Sequence, residues 1–467
     1  MSELWRKGAV ELAKLISDRE VSSREVVQAH LDRIEAVNPH VNAIVRVLPG
    51  ALAAADAADR AVTDGSALGP LHGVPCTVKE NIDVAGTPTT QAIPALAEAV
   101  APVDAPQVER LRAAGMIPIG RTNLPDFGLR VHTDSALHGL TRNPWNPQRT
   151  AGGSSGGEAA ALATGMSPLG LGNDLGGSLR NPAHCCGIAS IKPSLGAVPA
   201  ATVIPPEDFS ISFQLMAVEG VMARQVADVR AGFTAVAGAH PRDPLSVPAV
   251  FTDLAPGERP AVAVLPEPPG GSTHPEVAAA VRRAADALAD EGFKVTETAP
   301  PDYEQAIELW SSILAVDLRV MQPILEQLMG EAGRTFLGHA LNHLPEADLA
   351  GWATAHTARH GLARRWSLWY QDYPLLLSPV WSQPAFPLDY DIGSSEGAAG
   401  TLELMRPVLP ANLLGTPAAV IPAGMADGLP VGVQVMGARF TDLRCLAVAG
   451  IIEQRLGPIT PIDPVTG

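Results

Sequence analysis

Two glycine-rich turns, each carrying a serine, and one lysine closing an apolar run are the side chains best placed to do chemistry. The turns are Gly152-Gly153-Ser154-Ser155-Gly156-Gly157 and Asn173-Asp174-Leu175-Gly176-Gly177-Ser178, with Ser154 and Ser178 24 residues apart. Glycine lets the backbone turn sharply and present its N–H groups, and a helix start adds partial positive charge. Such a turn suits a phosphate or the oxyanion of an acyl-transfer intermediate. A phosphate loop needs Gly-Lys-Ser/Thr, and neither turn has it. A dinucleotide site needs G-x-G-x-x-G between strand and helix with an acidic residue further on, and that also fails. For acyl transfer the serine needs a base. His184 alone lies near either turn. The run Gly73-Val74-Pro75-Cys76-Thr77-Val78-Lys79-Glu80-Asn81 offers a different base, because desolvation of Lys79 at the end of an apolar strand favours a neutral, proton-accepting amine. Singly, such a lysine usually sits at a surface strand end and such a turn is usually a flexible loop. A thiol hydrolase built on Cys185 or Cys186 beside His184 is the competing reading, but adjacent small residues in a helix more often pack in a core.

The surrounding pattern supplies elements to hold these groups. Ser22 and Glu25 form a capping box, and Val26, Val27, His30, Leu31 and Ile34 follow at helical spacing, with Asn38-Pro39 expected to stop the run. Gly73 to Val78 reads as a buried strand. Asp104 is expected to cap a helix carrying Val108 and Leu111, which Gly115 ends before a strand from Met116 to Ile119. The Glu158-Ala-Ala-Ala-Leu-Ala run is helix-forming and closed by Gly165, and Leu169 to Gly172 is strand-like. Ala261 to Leu265 reads as a strand and Pro275 to Glu291 as an amphipathic helix. Residues 303–372 are helical and hold Trp310, Trp352, Trp366 and Trp369. Ala418–Pro422 and Val431–Met436 flank Asp427-Gly428, which predicts a hairpin. The expected class is α/β: one large domain over residues 1–467, with a central mixed, twisted β-sheet covered by helices on both faces. Within it lie an N-terminal helical segment (1–64), a core carrying the chemistry (65–205) and a helical region on the substrate side (303–372).

GVPCTVKEN, GGSSGGE and GNDLGGSLRNPA, in this order and spacing, resemble the amidase signature family of serine hydrolases. GRTNLPDF at 120–127, NPWN at 143–146, IKPSLGAVP at 191–199 and GLPVGVQVMG at 428–437 extend the resemblance over most of the chain. It implies a Ser-cisSer-Lys triad in which Lys79 is the base, Ser154 the cis-peptide serine and Ser178 the nucleophile. It places the oxyanion hole on the backbone N–H groups of Leu175, Gly176, Gly177 and Ser178. Neutral Lys79 would then withdraw a proton through Ser154 while Ser178 Oγ attacks the carbonyl, giving an acyl-enzyme that water hydrolyses. Asp174 and Arg180 are expected to hold the nucleophile's loop by an ion pair, and Ser155 to donate a supporting hydrogen bond. Asn173, Ala197 and Thr89-Thr90-Gln91-Ala92 depart from the family's usual residues, and because none is a triad member they are expected to alter substrate contacts only.

Composition bounds the rest. The 467 residues are 46% apolar and only 18% charged, enough for a large core, and Gly 44 and Pro 43 spread along the chain as turns. A net charge of −16 argues against nucleic acid or anionic lipid as a partner. Glu3, Glu11, Asp18 and Glu20 interrupt the start, no apolar run reaches membrane length, and the four cysteines show no C-x-x-C spacing. A cytoplasmic enzyme without metal or cofactor, acting on a small-molecule amide and able to form a homodimer, is the expectation. Hydrolysis of a small hydrophobic or aromatic amide leads. The alternatives are a carbamate, aryl-amide or ester hydrolase, the amidase component of a tRNA-dependent amidotransferase, and a non-catalytic scaffold.

Overall fold

Side-chain alternation along the strands decides the architecture. In Leu375–Pro379, Leu375 and Leu377 enter one apolar cluster and Leu376 the other; in Leu429–Gly437, Val431, Val433 and Val435 face one way and Met436 the other. A sheet apolar on both faces must be covered on both. The computed structural model, which describes residues 3–466, shows this arrangement. Eleven strands run in the order Ile44–Val47, Ile117–Thr122, Pro75–Lys79, Leu169–Asp174, Val218–Ala223, Ala189–Lys192, Ala418–Ala426, Leu429–Gly437, Leu375–Pro379, Val262–Val264 and Val295–Glu297. Pro75–Lys79 pairs in parallel with both its neighbours, whereas the strands from Leu169–Asp174 to Leu375–Pro379 pair antiparallel, so the sheet is mixed. Ala418–Ala426 and Leu429–Gly437 form the expected hairpin, with Asp427 and Gly428 both at positive φ. The whole is a single-domain α/β fold.

The two faces carry different helices. Pro106–Ala113, Val226–Val236, Pro275–Asp290 and Asp442–Leu456 bury Val108, Phe233, Val281 and Leu446 on the face that also takes Cys76 and Val78. On the opposite face, Gly156–Ala163 packs beside Arg180–Cys186, and the long helices Tyr303–Leu328, Glu331–His343 and Leu349–Asp372 stack outside them. No helix of the described residues is long and apolar enough to cross a membrane.

Three local expectations need correction. The helix Ser23–Val41 runs through Pro39 and ends at Asn42, which adopts φ 52°. Pro39 lies in the last turn, where its missing N–H removes a single intrahelical bond, and Asn38 Oδ1 accepts from the N–H groups of Ala43 and Ile44 to turn the chain. The N-terminal segment is also not wholly helical, since Ile44–Val47 forms one of the sheet's two edge strands. Asp104 does not cap the helix Pro106–Ala113. Its carboxylate accepts from Ala85 N–H at 2.7 Å and pairs with Arg112 at 2.8 Å, and Pro106 at the helix start has no N–H to satisfy.

Candidate active site

The three sequence-predicted residues meet at one end of the central strands. Lys79 is the last residue of Pro75–Lys79, fully buried, with its Nζ 2.7 Å from Ser154 Oγ and 2.6 Å from Asn173 Oδ1. Ser154 follows a cis peptide bond from Gly153 and stands two residues before the helix Gly156–Ala163. Ser178 lies between the strand Leu169–Asp174 and the helix Arg180–Cys186, and its carbonyl accepts from Ser155 N–H at 3.3 Å, which ties the two serine turns together. Exposure rises from 0% at Lys79 through 2% at Ser154 to 8% at Ser178, so Ser178 is the member nearest solvent.

Burial pushes the Lys79 amine down to about 7, against the opposing pull of the Glu219, Asp174 and Glu158 carboxylates. A neutral amine has one lone pair. Because Asn173 Oδ1 accepts one Nζ–H, that lone pair is free to face the Ser154 hydroxyl. The Asn173 amide is held this way round because its Nδ2 donates to Asn81 Oδ1 at 3.1 Å and to Glu219 Oε1 at 3.5 Å. Asn173 was expected to bear on substrate alone, yet it touches Lys79 directly. Among the other departures, Thr90 donates to Glu80, the residue after Lys79, and Ala197 is buried core.

The turn holding Ser178 is clamped from inside by one carboxylate. Asp174 Oδ1 accepts from Gly177 N–H (2.8 Å), Arg180 Nη2 (3.0 Å) and Asn412 Nδ2 (2.9 Å), while Oδ2 accepts from Leu179 N–H (3.1 Å) and Arg180 Nε (3.0 Å). Burial alone would raise this carboxyl. The adjacent Arg180 charge and its hydrogen bonds, with Lys192 and Asn412, instead hold it far below the usual carboxylate range. Gly177 needs its φ of +97°, which other residues rarely adopt. Because the Gly177 N–H is taken by Asp174, it is not available to an oxyanion as expected; among the described residues no protein acceptor faces the N–H groups of Leu175, Gly176 and Ser178. Ser155 differs from expectation as well. Its Oγ is buried against the chain without a hydrogen-bond partner, and its contribution comes through its backbone N–H.

Two acidic residues beside the site escaped sequence reasoning. Glu158 accepts hydrogen bonds from Thr77 Oγ1 and, at 2.8 Å, from Thr122 Oγ1, and burial raises it to about 7. Burial likewise raises Glu219 to about 7. Each stands alone in an otherwise apolar or small-residue run, which is the signal that could have found it. The thiol reading finds no geometry: His184 Nδ1 accepts from Gly432 N–H, its Nε2 lies 3.0 Å from the Gln383 carbonyl, and burial pushes both Cys185 and Cys186 thiols up.

Ser178 opens onto a narrow cavity of about 70 Å³ whose wall includes Trp310, Leu314, Leu318, Phe336, Leu337 and Met405. Of the tryptophans in 303–372, Trp310 is the one on this wall; Trp366 is core.

Comparison with known proteins adds to this geometry. The family model described as Amidase matches residues 25–446. An indoleacetamide hydrolase of Bradyrhizobium diazoefficiens is 41% identical over 97% of this chain and 87% of its own. An acylamidase of Rhodococcus erythropolis is 34% identical over 95% of this chain and 94% of its own. The crystal structure of a bacterial aryl acylamidase of the amidase signature family superposes with a TM-score of 0.83 at 26% identity, over 97% of each chain. With this match along nearly its whole length, the chain belongs to the amidase signature family and is a hydrolase of non-peptide amide C–N bonds.

Proposed function

We propose that this enzyme hydrolyses small amides with an apolar acyl group, in the size range of an arylacetamide, through an acyl-enzyme on Ser178. Lys79 accepts the Ser178 proton through the Ser154 hydroxyl as Ser178 Oγ attacks the carbonyl carbon. The developing oxyanion is received by the N–H groups of Leu175, Gly176 and Ser178. The relay then returns the proton to the departing amine, and water attacks the acyl-enzyme by the same route to release the acid. Asp174, Arg180 and Asn412 keep the turn in register for both steps.

The observation that carries the acyl preference is the wall of the Ser178 cavity, which is predominantly aliphatic and aromatic, with Arg130 the one charged residue on it. An indoleacetamide hydrolase among the relatives agrees with it. The cavity's volume favours a second reading. At about 70 Å³ it is well below the ~150 Å³ cavity that admits benzene, which favours a short aliphatic acyl group over an aryl one unless the wall, Met405 included, repacks. The two readings separate on a panel in which indole-3-acetyl, phenylacetyl and butyryl groups are each presented as primary amide, anilide and ester, with an aryl carbamate added. Higher kcat/KM for the aryl acyl groups supports the first reading, and higher kcat/KM for butyramide replaces it with the second. No hydrolysis by the folded chain alone would count against both and direct attention to a missing partner chain.

A further inference from the structure

Trp310 stands where the apolar wall meets the nucleophile's turn. It is 3% exposed, and its indole Nε1–H donates to the Leu175 carbonyl at 3.1 Å. That carbonyl is one half of the Leu175–Gly176 peptide, whose other half is the Gly176 N–H. A peptide unit is planar, so fixing the direction of its C=O fixes the direction of its N–H. The indole also bounds Gly176 from the side: a Cβ added there would lie 2.9 Å from Trp310 Cζ2 and 2.8 Å from Met405 Cε. The Asp174 carboxylate holds Gly177 and Leu179 N–H from within the turn, but it does not bond the Leu175–Gly176 unit. That unit is oriented by a side chain 135 residues away, on the helix Tyr303–Leu328.

We propose that Trp310 is a positioning residue for the oxyanion-binding Gly176 N–H, acting through the Leu175 carbonyl, in addition to walling the acyl cavity. The inference rests on the reading of Ser178 as nucleophile and of its turn as the oxyanion site. A wall residue alone would discriminate among acyl groups. A residue that aims an oxyanion donor affects every substrate, since every substrate develops the same oxyanion.

The test compares wild type with Trp310→Phe and with Trp310→β-(3-benzothienyl)alanine, which keeps the bicyclic shape and removes the N–H donor. Hydrolysis of phenylacetamide and of acetamide is measured, together with inhibition by the trifluoromethyl ketone of the phenylacetyl group, which forms an anionic hemiketal on a nucleophilic serine. For the benzothienyl variant, kcat is expected to fall about tenfold on both amides with KM changed less than about threefold, and the trifluoromethyl ketone to weaken by the same factor as kcat. Unchanged kcat, or a loss confined to the KM of phenylacetamide, would reduce Trp310 to a wall residue and overturn the proposal. Trp310→Phe is expected to show the same common loss plus an acyl-dependent part from its smaller ring. If it does not fold, the shape-preserving variant decides alone. Ser178→Ala run in parallel keeps the two claims apart: turnover surviving in that variant would remove the underlying reading whatever Trp310 does.

Discussion

The site is built from two regions held by different forces. One is the polar floor at one end of the central strands, where Lys79, Ser154, Asn173, Asp174, Ser178 and Arg180 come from a stretch of about 100 residues and hydrogen bonds join Lys79 to Ser154 and Asn173, Asp174 to Arg180, and the Ser178 carbonyl to Ser155 N–H. The other is the apolar wall from 303–344 and 402–405, where Trp310 to Leu175 is a directional bond reaching the floor and the rest is side-chain packing. Hydrogen bonds have narrow geometric limits, so a replacement in the floor must still put a suitable polar atom in place, as Asn173 Oδ1 does for Lys79. Apolar packing is non-directional, so the wall can change its residues while remaining a wall. On the proposed reading, a floor suited to one reaction stands against a wall that sets which acyl group enters.

Burial by itself does not single out Lys79 as the proposed base, as a second pair of residues illustrates. Lys79 and Lys192 are both fully buried, and burial pushes both down to about 7. Lys192 Nζ donates to the Pro193 carbonyl, whereas Lys79 Nζ reaches a serine hydroxyl and an amide oxygen aimed by its neighbours. The difference lies in what each amine faces.

If the floor performs the reaction and the wall selects, substitutions in the floor should cost orders of magnitude on all substrates. Ser178→Ala is expected to lower kcat by at least about 10³-fold for every amide, with the circular dichroism spectrum unchanged. A residual rate close to wild type would place the nucleophile elsewhere. Lys79→Met, which keeps the buried stem, is expected to cost about 10²–10⁴-fold in kcat through loss of the proton relay. A change confined to KM would deny it the role of base. Arg180→Ala leaves the Asp174 carboxylate buried and unpaired, and should destabilise the fold by about 3–5 kcal/mol, read as a lowered urea midpoint. A midpoint within error of wild type would mean that the turn is held by other contacts.

Wall substitutions should be smaller and selective. Met405→Ala enlarges the cavity and is expected to raise the ratio of kcat/KM for phenylacetamide over butyramide about tenfold, with butyramide itself little changed. Equal losses on both substrates would show that Met405 supports the turn through Gly176 instead. The smallest expected effect is electrostatic. With Lys79 as the proposed base, only its neutral form is active, so kcat/KM should rise with pH through about 7. Glu219, Asp174 and Glu158 face the amine and favour its charged form; Glu219 in turn faces Lys79, Asn173, Gln107 and Asp83. Glu219→Gln removes one of these negative charges, eases deprotonation, and should move the acid limb down by about one pH unit or less. A limb that moves up would mean that the carboxylate assists proton removal in another way.

Much of the polar floor was legible in the sequence, because Ser154 and Ser178 sit in glycine-rich turns, Lys79 closes an apolar strand run, and the order and spacing of these motifs resemble the amidase signature family. The α/β class was legible for a similar reason, since apolar strand runs alternate with amphipathic helices. What lay beyond the sequence was every partnership between distant residues. Asn173 differs from the family pattern, but that it turns toward Lys79 depends on Asn81 and on Glu219, 46 residues further on. Gly177 N–H looks like an oxyanion donor in the motif and is spent on Asp174 once the turn closes. Four tryptophans in one helical region were equivalent as letters; packing placed Trp310 against the Leu175 carbonyl and sent Trp366 into the core. Local backbone chemistry can be read from neighbours in the chain, whereas the direction of a side chain and the partner it meets are decided by elements that only the completed sheet and its helices bring together.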